Sequence, residues 1–250
     1  MLLERPRFTV STMQTQLRHN PSFTVARLIL GPNEPVRVEG GAMLAHSQGV
    51  QIEAKAQGGI MAGLKRSVLA GESFFVTTYT APSQGGWVDV AGVLPGDILP
   101  IDIQPDRPYY IARGNWIANS YGTEIDTQWG GRASFFGGEG GFGIRCSGQG
   151  IAVVSVYGAI DIFDLAAGQT VVIDTGHVVA YDLNIQFRMR RAVEGRTIQS
   201  LKSGEGFVFD FAGPGRVILQ SRNPSAFAEW AASLAPGNNP KGGLGGMFRG

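Results

Sequence analysis

The chain has 250 residues, of which 43% are hydrophobic and only 16% are charged, and its formal net charge is +1. This composition excludes a disordered or fibrous chain, and so small a net charge provides no global field that would attract nucleic acid. The single cysteine, Cys146, excludes an intrachain disulfide, and no apolar run approaches the ~20 residues of a membrane-spanning helix. We therefore expect a cytoplasmic protein, and peripheral membrane contact stays open.

Short strands are the first elements that the sequence predicts, because 37 glycines punctuate runs of alternating apolar residues. One pattern consists of a β-branched residue, a turn with glycine, two mostly apolar residues and an alanine. Its three copies are residues 38–45, 111–118 and 173–180. A second pattern is Gly-Glu followed by a strand that carries phenylalanine. Its three copies are residues 71–76, 138–144 and 204–209.

Because the two patterns recur in the same order, we interpret the chain as three diverged copies of one β unit. The copies span about residues 20–92, 93–160 and 161–222. Each copy has one apolar face that it cannot cover alone, and three copies around a pseudo-threefold axis would bury these faces together. The predicted fold is therefore all-β, with three pseudo-threefold repeats in a single domain over residues 1–235.

A helix is predicted only at the C-terminal end, over residues 224–234. Asn223 is suited to cap this helix, and Pro224 is tolerated at its first position. The helix has one apolar stripe, which we expect to dock on the β domain and which consists of Phe227, Trp230, Ala231 and Leu234. Residues 236–250 are rich in Gly and Pro, so we expect a flexible tail there.

Several short motifs together resemble one known family. They include Asn-Pro-Ser-Phe at 20–23, Leu-Pro-Gly-Asp-Ile at 94–98, and residues 38–45, 58–66, 71–76 and 174–180. In this combination the chain resembles the altered-inheritance-of-mitochondria family, number twenty-four, from about Gln14 to Leu234. The resemblance implies a double-stranded β-helix-like or β-prism fold with three repeats, which is similar to the subunit of the trp RNA-binding attenuation protein. Mitochondrial members are implicated in inner-membrane organisation, and no catalytic residue comes with the family.

The stretch from residue 58 to residue 71 mixes glycines with apolar and basic side chains. Its candidate contact residues are Ile60, Met61, Leu64, Lys65, Arg66 and Leu69. A flexible backbone with apolar tips and two cations suits a protein partner or an anionic membrane face. A hairpin over the core with both cations in solvent explains the same pattern equally well.

Three glutamates occupy one position of the second pattern, namely Glu72, Glu139 and Glu205. If a threefold axis brings them together, they form an acidic ring that would bind a cation. The alternative, which we favour, is a turn in which each carboxylate accepts hydrogen bonds from nearby backbone N–H groups.

A basic group near the third copy consists of Arg188, Arg190 and Arg191. Arg188 and Arg190 share one face of a predicted strand, which is a candidate anion contact. No aromatic residues alternate with them, as base stacking would require. We therefore favour a solvated edge strand whose charges discourage aggregation.

Enzymatic chemistry has little support in the sequence. No nucleophile motif is present, and Cys146 lies in an alternating strand where a buried thiol is expected. A metal site would require His46 and His177 to meet a carboxylate. We therefore predict a non-catalytic structural, scaffolding or binding protein without a cofactor, which forms a trimer or larger homo-oligomer and contacts an unidentified protein. The alternative is a small-ligand or RNA-binding module, by analogy with the attenuation protein.

Overall fold

Strands dominate the computed structural model, which describes residues 11–56, 75–126, 143–192 and 206–234. The predicted all-β class is confirmed, and the one α-helix of these residues lies at the C-terminal end, as predicted. The predicted tail at 236–250 lies outside the described residues. No helix of the described ranges has the length and hydrophobicity needed to cross a lipid bilayer.

In chain order, the strands are β1 (Gln14–Arg18), β2 (Val25–Leu30), β3 (Pro35–Glu39), β4 (Met43–His46), β5 (Gln51–Ala56), β6 (Phe75–Thr80), β7 (Gly86–Val90), β8 (Ile98–Ile103), β9 (Tyr109–Ala112), β10 (Trp116–Ser120), β11 (Thr123–Asp126), β12 (Gly143–Gly148), β13 (Gly150–Ser155), β14 (Ile160–Leu165), β15 (Thr170–Asp174), β16 (Val178–Asp182), β17 (Gln186–Arg191), β18 (Phe207–Ala212) and β19 (Gly215–Gln220). The helix α1 is Pro224–Ser233, and two 3₁₀ turns cover Arg113–Asn115 and Thr175–His177.

The side-chain pattern of the strands explains their place in the fold. In β2 and β3 every second side chain is buried, as expected for strands with one face on a core. In β10 and β16 all five residues are buried. Continuous burial of this kind requires a strand covered on both faces, so β10 and β16 lie in the interior of the molecule.

Strand pairing follows one antiparallel scheme in three successive segments, residues 25–90, 98–155 and 160–220. In each segment of six strands, the sixth strand pairs with the first and the third. The fifth strand pairs with the second and the fourth. Each segment therefore contributes two groups of three strands.

The segments are joined because the second strand of one pairs with the third strand of the next. These joints are β3 with β10 and β9 with β16. The described strands form four sheets, with strand orders β1-β2-β7-β4 (sheet 1), β5-β6-β3-β10-β13-β8 (sheet 2), β11-β12-β9-β16-β19-β14 (sheet 3) and β15-β18-β17 (sheet 4). The two six-stranded sheets are thus shared between neighbouring segments.

The apolar core divides into three clusters along this series of sheets. The first cluster includes Leu28, Val38 and Val88 from the first segment, with Ile117 and Val153 from the second. The second cluster includes Ile111, Trp116 and Ile144 from the second segment, with Val179 and Ile218 from the third. The buried residues of the third cluster, which include Ile173, Tyr181, Phe209 and Phe211, all come from the third segment. The predicted closure of three apolar faces around one shared centre is not confirmed, because the described core is a series of clusters.

A buried carboxylate attaches the N-terminal strand to sheet 1. Glu34 is 4% exposed and accepts hydrogen bonds from Ser11 Oγ (2.7 Å), Thr12 N (2.8 Å), Thr12 Oγ1 (2.6 Å), Met13 N (3.0 Å) and Gly31 N (2.8 Å). Burial alone would raise the pKa of Glu34, but these hydrogen bonds outweigh it, so the pKa is lowered. The carboxylate is therefore ionised and fully engaged in holding the chain that leads into β1.

The helix α1 confirms one prediction and corrects another. Asn223 Oδ1 accepts hydrogen bonds from Ser225 N at 2.9 Å and Ala226 N at 3.4 Å, so the predicted cap is present. Phe227 meets the ring of Tyr157 edge-on, with centroids 5.7 Å apart. The expectation that the whole stripe docks is wrong, because no residue of α1 is buried. All four members of the stripe, namely Phe227, Trp230, Ala231 and Leu234, are exposed.

Candidate functional site

Two strands at the ends of the sheet series pair on one side only, among the strands that the structure describes. The strand β4 ends sheet 1 and pairs with β7, while β15 ends sheet 4 and pairs with β18. The other third strands, β10 and β16, and the other second strands, β3 and β9, pair on both sides. We refer to the unpaired sides of β4 and β15 as the free edges.

An apolar residue lies in the free edge of β4. Each third strand has a β-bulge against its sixth strand, and the bulge residues are Leu44, Ile117 and Val179. Ile117 is 1% exposed in the first cluster and Val179 is 0% exposed in the second, so each packs in the core of the preceding segment. Leu44 belongs to the first of the described segments and is 60% exposed.

A second apolar residue lies in the free edge of β15. At the corresponding position of β9, Tyr110 is the partner of Tyr181 and stacks on its ring, with centroids 4.6 Å apart. Burial raises the pKa of Tyr110 to about 12. Val172 has this position in β15 and is 57% exposed. Both free edges therefore expose an apolar side chain. The position of Leu44 is buried at the internal joints, whereas the position of Val172 holds Arg37 at the first joint and the partly buried Tyr110 at the second.

The outer face of sheet 1 carries a buried ion pair. Asp89 is 3% exposed and accepts hydrogen bonds from Arg27 Nε and Arg18 Nη2, each at 2.8 Å. The Arg27 guanidinium also lies 3.7 Å from the ring centroid of Trp87. Burial would raise the pKa of Asp89, but the hydrogen bonds and charges of both arginines outweigh it, so the pKa is lowered. In the second and third segments this strand position holds Val153 and Ile218, both fully buried.

A groove of about 410 Å³ lies where the first segment leads into the second. Its wall includes Phe23 and Val93, which are 71% and 92% exposed. Asp97 is the acidic group of this wall, and its Oδ1 already accepts hydrogen bonds from Thr24 Oγ1 at 2.7 Å and Ile98 N at 2.8 Å. The groove therefore offers mainly apolar surface to a ligand.

Two predicted sets of contact residues lie outside the described residues. They are the loop residues Ile60, Met61, Leu64, Lys65, Arg66 and Leu69, and the glutamates Glu72, Glu139 and Glu205. The acidic ring and the contact loop therefore stay predictions.

The basic group of the third segment lies on β17, which is an edge strand of sheet 4. Arg188 and Arg190 share a face, because both lie at even positions of the strand, and Arg191 lies on the other face. The Arg190 Nε donates to Asp210 Oδ2 at 2.8 Å. The edge position agrees with the favoured reading of a solvated edge strand, whereas anion binding stays a prediction.

The histidines and the cysteine have ordinary structural surroundings. The Nδ1 of His46 lies 2.9 Å from the Ser47 carbonyl oxygen, and that of His177 lies 2.7 Å from the Gln220 carbonyl oxygen. Within the described ranges, no three His, Cys, Asp or Glu residues are grouped as metal ligands. Cys146 is fully buried, as predicted, and burial raises the pKa of its thiol to about 12.

A protein-family model described as mitochondrial biogenesis AIM24 matches residues 15–222 of the chain. The chain belongs to the AIM24 family. An uncharacterized protein of Streptococcus pyogenes serotype M6 is 29% identical to this AIM24 chain over 238 residues, which are 91% of this chain and 90% of that protein. The crystal structure of protein SPYM3_0169 from Streptococcus pyogenes is similar with a TM-score of 0.72 and 25% identity, covering 89% of this chain and all of that one. The family identified from the sequence motifs is thereby confirmed, whereas the likeness to the attenuation protein stays a prediction.

Sequence reasoning missed the free edges of this AIM24 chain. The first sequence pattern does align Leu44 with Ile117 and Val179, so the shared position was visible. The exposure of this position depends on which segment lies at the end of the series. The predicted closed threefold arrangement has no end, so an exposed Leu44 was not expected.

Proposed function

We propose that this AIM24 protein is a non-catalytic structural protein that self-associates through the ends of its sheet series. The observation that carries the proposal is the exposure of Leu44 and Val172 on strands that pair on one side only. Unpaired strand edges are templates for further strands, and native proteins usually protect them with charges, proline or a covering element. Here the free edges present leucine and valine instead.

The buried ionisable groups support a structural role. Glu34 is engaged by five hydrogen bonds, and Asp89 is held by two arginines. Asp182 accepts a hydrogen bond from Arg107 Nε at 2.7 Å. Perturbed carboxyl groups at active sites face a cleft where a substrate could reach them. These three carboxylates are used within the protein itself.

Light scattering coupled to size-exclusion chromatography tests the proposal. We expect a mass that is a multiple of the 26.6 kDa monomer and that decreases on dilution. The Leu44→Ser variant should shift the protein toward the monomer, because it removes apolar surface from the contact. Val93→Ser is the matched control, since Val93 is exposed but belongs to neither β4 nor β15. A mass of 26.6 kDa for the wild-type protein at every concentration would overturn the proposal.

A second candidate function is binding of a small apolar ligand, and the groove beside Phe23 and Val93 favours it. Its volume of about 410 Å³ falls within the roughly 300–1,000 Å³ of ordinary ligand pockets. A crystal soaked with an apolar probe such as xenon should show the probe in the groove, and an empty groove would discard this candidate. The RNA-binding form of this alternative is tested by filter binding of a random RNA pool at low salt, where no retention would remove it.

A further inference from the structure

We propose that β15 of one chain pairs antiparallel with β4 of a second copy, with Ile173 opposite Ala45. This inference rests on the proposed self-association and specifies its geometry. The two free edges are complementary, because among the described strands β15 is a second strand that pairs with no following third strand and β4 is a third strand that pairs with no preceding second strand. A second copy supplies to each edge the strand that the chain itself supplies at its internal joints.

The register follows from the two internal joints. In the first joint, Ala118 is the partner of Val38 and Asn119 is the partner of Arg37. In the second joint, Ala180 is the partner of Ile111 and Tyr181 is the partner of Tyr110. The corresponding residues of the free edges are Ala45 and His46 in β4, and Ile173 and Val172 in β15. The same rule therefore places Ala45 opposite Ile173 and His46 opposite Val172.

The packing at the joints predicts where Leu44 goes. Ile117 enters the first cluster and Val179 enters the second, each from the segment that follows. By the same geometry, Leu44 of the second copy enters the third cluster of the first copy. The buried residues of that cluster come only from the third segment. Phe187 packs against this cluster through Tyr181, at 5.1 Å between centroids, and is 38% exposed. Packing of Leu44 against the exposed ring of Phe187 removes apolar surface of both copies from water.

One residue makes the contact between chains weaker than the internal joints. The position that Val153 and Ile218 fill at those joints holds Asp89 in the first segment. Asp89 keeps its two arginines, so sheet 1 is stable in water when no second copy is bound. The strand β1 lies at the opposite side of sheet 1 from β4 and leaves the free edge accessible. The pairing is therefore reversible, whereas the internal joints are permanent.

A head-to-tail contact of this kind uses two different surfaces, so it repeats from copy to copy. It gives a closed ring if the rotation between copies closes and an open filament if it does not. Pairing of β15 with β4 of the same chain would satisfy the same edges without a second copy, and the experiment must separate the two arrangements.

Disulfide trapping between two variants, each with one introduced cysteine, tests the register. His46→Cys is made in one chain and Val172→Cys in a second chain that carries an affinity tag. Partner residues on adjacent antiparallel strands have Cα atoms about 4.5–5.5 Å apart, which suits a disulfide. Cys146 is fully buried and does not compete. After mild oxidation, the mixed pair should give about tenfold more cross-linked heterodimer than either variant gives alone, because only the mixed pair is held together in register.

Three controls make the outcome decisive. Val93→Cys replaces His46→Cys as an exposed thiol away from the edge, and equal cross-linking with it overturns the inference. The double variant His46→Cys/Val172→Cys should give interchain bonds, and a bond within one chain overturns the inference in favour of closure on itself. Oligomers by light scattering without the His46–Val172 cross-link overturn the register but leave self-association standing, whereas a monomer removes both. Leu44→Asp should abolish the cross-link, and Val93→Asp should not.

Discussion

The two ends of the sheet series are built on the same strand scheme but are stabilised by different interactions. The first segment buries two ionised carboxylates, Glu34 and Asp89, each held by several hydrogen bonds. The third segment instead buries aromatic rings, with Tyr181 between Phe187, Phe209 and Phe211 at centroid distances of 5.1, 6.1 and 5.2 Å. The first end therefore depends on charge state and the second on packed volume.

The largest expected effect follows from removing volume at the aromatic end. Phe211 is fully buried in the third cluster, so Phe211→Ala should lower the free energy of unfolding by about 3–5 kcal/mol, and Phe211→Leu by less. Urea denaturation measures both variants at a fixed protein concentration. Val93→Ala, at an exposed site, is the control. Equal stability of Phe211→Ala and the control would show that the aromatic packing does not hold this end.

Removing one charge at the other end should have a smaller effect. In Glu34→Gln, the amide replaces an oxygen that accepts hydrogen bonds, so we expect a loss of about 2–3 kcal/mol. The amide protons of β1 should also exchange faster, because the chain leading into it loses its attachment. Glu124→Gln on the exposed part of β11 is the matched control. Unchanged exchange in β1 would contradict the role of Glu34.

The pH dependence separates a third carboxyl group from these two. Burial raises the pKa of Glu39 to about 7 from an ordinary value of 4.5, so the folded state binds more protons than the unfolded state between these pH values. The contribution of Glu39 to stability is therefore present below pH 4.5 and is lost as the pH rises to about 7. For Glu34 and Asp89 the sign is opposite, because their lowered pKa values make stability fall in acid.

Glu39→Gln tests this sign directly. The variant should be more stable than the wild-type protein at pH 8 and should gain nothing at pH 4, as measured by urea denaturation at each pH. Glu124→Gln should show no such difference. If the wild-type protein gained as much stability as Glu39→Gln between pH 5 and pH 7, the raised pKa of Glu39 would be refuted.

The smallest expected effect concerns α1. Asn223→Ala removes the oxygen that caps two N–H groups, so the helix should lose about 1 kcal/mol. Hydrogen exchange in the first turn of α1 measures this loss. Because α1 buries none of its residues, global unfolding in urea should change little. A large change in global stability would mean that the helix supports the third segment more than the Phe227–Tyr157 contact suggests.

Local patterns of the sequence were sufficient for much of this fold. Alternating apolar residues identified strands such as β12 and β17, and the Asn223-Pro224 pair located the start of α1. Both signals depend on residues close in sequence, where backbone geometry and side-chain periodicity act directly. The motif combination also identified the family, because it extends over nearly the whole chain.

Arrangement between segments was not predictable in the same way. The pattern of the third strands places Leu44, Ile117 and Val179 at one position, and nothing in their chemistry shows that only Leu44 is exposed. Likewise, the apolar stripe of α1 is typical of a docked helix, yet its docking depends on the surface beneath it. Asp89 was overlooked because its importance arises from Arg18 and Arg27, which are distant in sequence.

The buried thiol of Cys146 is a chemical probe of local opening in the middle of the molecule. A thiol that is fully enclosed and whose pKa is raised to about 12 hardly reacts with an alkylating reagent until its surroundings open. Because it is the chain's single cysteine, each labelled molecule records one opening of the second cluster. The rate of modification of Cys146 therefore measures local opening of the central segment, separately from fraying at either terminus.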